Sequence, residues 1–158
     1  MPDDAMNHPS TAYLPPILVV DDSDDDFDTV AQAAQRAGIR NQLVHARDAE
    51  QARAALAATP PPAFAFMLLD CSLPGDDGLS LLKQLRQHPL HGCLPVVVLT
   101  ASINPRDRNA FYAAGANAYH VKTVSFSDSL ATLRHVFDYW LTHTILPANN
   151  ALSTEKSK

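Results

Sequence analysis

Five side chains spread along the sequence could carry chemistry together: Asp21, Asp22, Asp70, Thr100 and Lys122. Each stands at or just past the end of a short apolar run. Ile17-Leu18-Val19-Val20 stops at Asp21-Asp22, Phe64 to Leu69 stops at Asp70, Pro95 to Leu99 stops at Thr100, and Ala118-Tyr119-His120-Val121 stops at Lys122. Three carboxylates drawn into one crevice repel one another, so the crevice must raise a pKa or take up a cation. Mg²⁺ (or Mn²⁺) suits such a site, because it prefers hard oxygen ligands and commonly joins one or two carboxylates to a phosphoryl oxygen. On that reading Asp22 and Asp70 are direct ligands, Asp21 is a ligand through water, and the Ser72 backbone carbonyl is a further protein oxygen. An ionised aspartate beside such an ion is a nucleophile toward phosphorus, provided that the oxygens of the transferring group are held electrostatically. Asp70 is the candidate nucleophile, the Lys122 ammonium and the Thr100 hydroxyl can hold oxygens, and the small Ala101 leaves the approach open.

These groups meet only if the runs are adjacent strands. Between them lie segments with helical spacing. Asp24 to Ala37 carries Phe27, Val30, Ala31 and Ala34 and is followed by Gly38 at a helix-ending position. Gln42 to Ala46 reads as a second strand, and Asp48 with Gln51 opens an Ala-rich helix to about Ala58, stopped by Pro60 to Pro62. After the turn from Leu73 to Gly78, Leu79, Leu82 and Leu85 mark a third helix that His88-Pro89 closes. Asn104-Pro105 starts a fourth, reaching about Ala114, and Ser125 with Asp128 caps a last helix reaching about His143. Five strands alternating with five helices of crossover length require parallel pairing with helices on both faces. The expected fold is α/β, a flavodoxin-like (βα)5 doubly wound five-stranded parallel sheet in the order 2-1-3-4-5. Its functional crevice lies beyond the carboxyl ends of strands one and three.

Composition narrows the classes of function. The chain has 158 residues, enough for one domain and few for two, so we expect a disordered lead over 1–16, a domain over 17–143 and an extension over 144–158. A formal net charge of −5 lacks the clustered basic residues that neutralise nucleic-acid phosphates, so no nucleic-acid partner is expected. No apolar run approaches the roughly 18 to 20 residues that span a bilayer, and the start lacks a signal core, so a cytoplasmic location without a membrane partner is expected. Cys71 and Cys93 match no zinc spacing and are expected in or near the core, and His120, His135 and His143 show no ligand spacing.

In their order, Val19-Val20-Asp21-Asp22, Leu68-Leu69-Asp70 with Leu73-Pro74 and Asp77-Gly78, Val98-Leu99-Thr100-Ala101 and Ala118-Tyr119-x-x-Lys122 resemble the motifs of response-regulator receiver domains. The likeness covers about Ile17 to Phe137. It implies that Asp70 is the phospho-acceptor, Asp21 and Asp22 the acidic metal pair, Thr100 the switch hydroxyl, Tyr119 the switch aromatic and Lys122 the phosphate-binding lysine. It also implies a phosphoryl acceptor whose only catalysis is its own phosphotransfer and dephosphorylation. Lys122 is followed by Thr123 where most of the family has proline, and a non-proline cis peptide costs about 3 kcal/mol, which removes the usual basis for a cis bond there. This departure and the aromatic tail Phe137 to Leu141 resemble single-domain regulators partnered with phytochrome-type sensor histidine kinases.

Plainer readings accompany several residues. Asp24, Asp25, Asp26 and Asp28 read as acids favoured by the dipole in a first helical turn, and Asp76 and Asp77 as turn residues. Tyr119 on a strand packs by default. Leu130, Leu133, Phe137 and Leu141 are expected to face the sheet, leaving Val136, Tyr139 and Trp140 partly outside as a partner surface. The phytochrome-type resemblance implies a homodimer through this helix and the extension. Two other readings stay open: an aspartyl-phosphate phosphohydrolase using Asp22-Ser23-Asp24, and a dimeric interaction module independent of phosphorylation.

Overall fold

A computed structural model describes residues 13–58, 64–74 and 78–147. In chain order these form β1 (Ile17–Val20), α1 (Asp24–Arg36), β2 (Leu43–Ala46), α2 (Ala49–Ala58), β3 (Met67–Leu69), α3 (Gly78–Arg86), β4 (Val96–Thr100), α4 (Pro105–Ala113), β5 (Ala118–Val121) and α5 (Phe126–Asp138). The five strands are all parallel and ordered β2-β1-β3-β4-β5, as the crossover argument requires.

Strand alternation divides the core between two faces. Leu18, Val20, Met67, Leu69, Val96 and Val98 pack with Ala52, Leu56, Leu81, Leu82, Leu85 and Phe111 of α2 to α4. Ile17, Val19, Leu68 and Val97 pack with Val30, Ala33 and Ala34 of α1 and Leu133, Val136 and Phe137 of α5. Asn104 Oδ1 accepts from the Arg106 amide and Ser125 Oγ from the Asp128 amide, the caps expected from the sequence, and Ser23 Oγ accepts from the Asp26 amide at the start of α1.

Several expectations change. β3 is shorter than Phe64–Leu69, although Phe64, Ala65 and Phe66 are buried in the core. The last helix is α-helical only to Asp138, and Tyr139–His143 continue it as a π-helical turn. Val136 is 3% exposed and belongs to the core, so it cannot serve as partner surface. The apolar stripe is wider than the sequence reading allowed: beside Leu130, Leu133, Phe137 and Leu141, which face the sheet as expected, it takes in Val136 and Trp140. Trp140 packs toward Phe66, with ring centroids 6.4 Å apart, while Tyr139 is 50% exposed. Cys71 is buried, but Cys93 is exposed. Residues 1–12, Pro60 to Pro62, Asp76, Asp77 and 148–158 lie outside the described residues. No helix among those described is long and apolar enough to cross a membrane.

Candidate functional site

Register places the site. Val20 pairs with Leu69, so Asp21 and Asp70, the next residue on each strand, emerge side by side. Their amides are held by the sheet: Asp21 N–H donates to Ala46 O at 3.0 Å and Asp70 N–H to Val20 O at 3.0 Å. On the far strands Lys122 N–H donates to Thr100 O at 2.7 Å, which fixes the lysine beside the end of β4. Gly78, at the start of α3, approaches from below. A Cβ there would lie 2.6 Å from the Asp70 carbonyl oxygen, so only glycine allows this contact.

Asp21, Asp22 and Asp70 each offer a carboxylate oxygen, and the three lie within 4.8 Å of one another. Asp21 and Asp70 are buried and Asp22 is exposed. Burial pushes the Asp21 carboxyl above its ordinary value, with the charge of Asp70 adding to the rise, although bonds from Lys122 and the Ser23 amide oppose it. Three clustered oxygen donors with one carboxyl held at such a cost fit a hard divalent cation.

The Lys122 ammonium bridges the cluster. It donates to Asp21 Oδ2 at 2.8 Å, Asp26 Oδ2 at 2.7 Å and Asp70 Oδ2 at 3.0 Å. Burial alone would lower its pKa. The bonds to Asp21 and Asp26 and the charges of Asp21 and Asp70 more than offset this, so the pKa is raised and the lysine stays charged. The other oxygens hold the backbone: Asp21 Oδ1 accepts from the Ser23 amide at 2.9 Å and Asp70 Oδ1 from the Ser72 amide at 3.1 Å.

Thr100 and Tyr119 are joined through one residue. Thr100 is 1% exposed, and its Oγ1 accepts from the Ser102 amide at 3.3 Å. The Tyr119 hydroxyl donates to the Ser102 carbonyl at 3.1 Å and accepts from the Cys71 thiol at 3.8 Å. Ser102 Oγ in turn donates to Asp107 Oδ2 of α4 at 2.6 Å. Ser102 thereby contacts Thr100, Tyr119 and the start of α4 at once.

The structure brings together Asp21, Asp22, Asp70 and Lys122, and sets Thr100 at the neighbouring strand end. It adds two residues the sequence reading did not select. Asp26, assigned there to helix-dipole stabilisation, binds Lys122; its position one turn into α1, directly after the acidic pair, is the signal that could have found it. His45 donates from Nε2 to the Asp21 carbonyl at 2.8 Å and stacks on Phe27, with ring centroids 4.1 Å apart. Nothing in its local sequence marks it. Asp24 pairs instead with Arg47, on the outer side of α1.

The chain matches the response regulator receiver domain family over residues 17–134. It is 34% identical over 138 residues to response regulator Rcp1 of Synechocystis sp., spanning 84% of this chain and 92% of Rcp1. The structure of Mn²⁺-bound Rcp1 superposes with a TM-score of 0.78 at 33% identity, covering 85% of this chain and 99% of that one. The phosphorylated cyanobacterial phytochrome response regulator RcpA superposes with a TM-score of 0.79 at 28% identity, covering 86% of this chain and 100% of its own. With the acid cluster and lysine at the strand ends and a family match over most of its length, the chain belongs to the response regulator receiver family, as a homologue of Rcp1 and RcpA.

Proposed function

We propose that this chain accepts a phosphoryl group on Asp70 from a sensor histidine kinase and signals by a change in protein–protein binding. The observation that carries the reading is the meeting of Asp21, Asp22 and Asp70 with the ammonium of Lys122, which bonds Asp21 and Asp70 at 2.8 and 3.0 Å. Asp22, Asp70 and the Ser72 carbonyl would hold Mg²⁺ or Mn²⁺ directly, with Asp21 reaching it through water. The ion supplies charge neutralisation for the phosphoryl oxygens. In the transfer, a carboxylate oxygen of Asp70 forms the new P–O bond while the P–N bond of the donor phosphohistidine breaks, and the imidazole leaves with the electron pair and takes up a proton. Lys122 steadies another phosphoryl oxygen throughout.

The product places a phosphoryl group carrying roughly −1 to −2 charge where a carboxylate stood. Thr100 Oγ1, now accepting from the Ser102 amide, would turn its own hydroxyl to a phosphoryl oxygen. Because Tyr119 holds the carbonyl of the same Ser102, the aromatic ring and the start of α4 would follow, altering the face of α4, β5 and α5. Such a switch acts by its differential interaction with the two states.

The likeness to the phytochrome response regulator RcpA supports a phytochrome-type kinase partner, and a cytoplasmic setting belongs to the same reading. Tyr139, with the partly exposed Trp140 and the described start of the extension, in which Ile145 is 97% exposed, would form the surface for a homodimer, with Val136 behind them in the core. The phosphohydrolase reading lacks support, since Asp24 is engaged by Arg47 and does not join the cluster. Phosphotransfer profiling against candidate histidine kinases, with Asp70→Asn as control, tests the proposal. Labelling that persists in Asp70→Asn would remove Asp70 from its role.

A further inference from the structure

A lysine ammonium has three N–H donors and no acceptor. In Lys122 all three are engaged, by Asp21, Asp26 and Asp70. Two of these partners belong to the oxygen trio suited to a divalent cation, and Asp26 does not. When Asp21 and Asp70 turn oxygens to a cation, the bond to Asp26 is the one that can persist unchanged. It is also the shortest of the three, at 2.7 Å.

Asp26 is built to hold a position. It lies in the first turn of α1, its amide capped by Ser23 Oγ at 3.2 Å. An acid at this position commonly reaches back to the amide of the capping residue. Here that amide already donates to Asp21 Oδ1, which leaves the Asp26 carboxylate for the lysine. The dipole favours Asp24 and Asp25 equally, yet Asp26 alone of the three meets the ammonium, so helix stabilisation does not account for the contact. Lys122, on a flexible four-carbon stem, gains most from such an anchor once its other partners are drawn away.

We propose that Asp26 is a positioning residue, which keeps the Lys122 ammonium at the acidic pocket when Asp21 and Asp70 engage a divalent cation and leaves two N–H donors free for the incoming phosphoryl oxygens. This rests on the phospho-acceptor reading for its consequence, though not for the anchoring itself.

Lysine-¹⁵N protein separates the two. Without metal, the Lys122 ammonium signal is protected from solvent exchange in the natural chain and in Asp26→Ala, because Asp21 and Asp70 hold it. With Mg²⁺ added, the signal persists in the natural chain and in Asp26→Asn, whose amide oxygen accepts the same bond, and is lost in Asp26→Ala and Asp26→Ser. With acetyl phosphate and saturating Mg²⁺, Asp26→Ala takes up phosphoryl groups about tenfold more slowly, the worth of one charge-assisted hydrogen bond, and Asp26→Asn within about threefold of the natural chain. Mg²⁺ affinity stays within about twofold in all variants, since Asp26 is not a ligand. Equal protection of Lys122 in Asp26→Ala and the natural chain, an unchanged or faster rate in Asp26→Ala, or failure of asparagine to rescue would each overturn the proposal. Absence of phosphoryl uptake by the natural chain would instead sink the acceptor reading, while the ammonium signal would still decide whether Asp26 anchors the lysine.

Discussion

Lys122 and Arg86 are both partly buried cations, at opposite ends of the same sheet, and their partners differ in kind. Lys122, past the carboxyl end of β5, is surrounded by three carboxylates. Arg86, at the end of α3, lies near the opposite ends of β4 and β5, and the acceptors it meets among the described residues are neutral. It donates to the carbonyls of Gly115 at 2.7 and 3.0 Å, Gly92 at 3.1 Å and Leu94 at 2.7 Å, and to Asn117 Oδ1 at 2.9 Å. The shifts follow the partners: burial lowers the Arg86 pKa with little to oppose it, while the acids raise that of Lys122 despite its burial. A planar fork matched to fixed carbonyls staples the segments entering β4 and β5. A point charge among carboxylates, which other cations also want, can exchange its partners. One end of the sheet is tied by neutral carbonyls and the other by an ammonium among acids.

Substitutions can break this contrast, and the largest effect is expected at the exchangeable end. Asp70→Asn should reduce phosphoryl uptake from acetyl phosphate to background, read by Phos-tag electrophoresis, while leaving the fold intact. Arg86→Ala should cost roughly 3 kcal/mol in urea unfolding, because several carbonyls lose their donor at once, and should change phosphoryl uptake little in the protein that remains folded.

Asp21→Asn should act in the reverse direction on stability. The folded carboxyl has a raised pKa, so its stability contribution is present below 3.8 and lost as pH rises through the folded value; at neutral pH the ionised group is a net cost. A neutral amide avoids that cost, and the metal-free protein should gain on the order of 1 kcal/mol while its thermal response to Mg²⁺ weakens. Differential scanning calorimetry with and without Mg²⁺ reads both. Lys122 makes no such contribution to the pH profile near neutrality, since its raised pKa places the loss above 10.5.

The smallest effect comes from two histidines away from the site. Burial lowers the pKa of His91 and His120, so below 6.5 the unfolded chain takes protons first and stability falls with pH. Unfolding between about pH 7.5 and 5.5 should show a decline of less than about 1 kcal/mol per histidine, and His120→Gln should flatten it. A steeper loss that survives His120→Gln would assign the decline elsewhere.

Much of the site was legible because its residues sit at the ends of short, mostly apolar strands. Asp21, Asp70, Thr100 and Lys122 need only the strand order to be placed. Asp26 was not legible as a partner of Lys122, because an acid in a first helical turn has a sufficient local explanation. Val136 was misplaced for a related reason: several rows on α5 are apolar, and only packing against Phe66 and the sheet decides how wide a stripe is buried. Arg86 was not singled out at all, since its acceptors are backbone carbonyls that sequence does not distinguish.

By itself, the sequence determined which segments are strands, where the helices begin and which charged groups stand at the strand tips, since these follow from local periodicity and capping. Only the tertiary structure decided that the ammonium of Lys122 meets a carboxylate 96 positions earlier, that His45 grips the Asp21 backbone and that Arg86 ties together the two loops entering β4 and β5. Periodicity restricts a side chain to one face of its element. Which group it meets there depends on strand register and on how each helix is turned against the sheet.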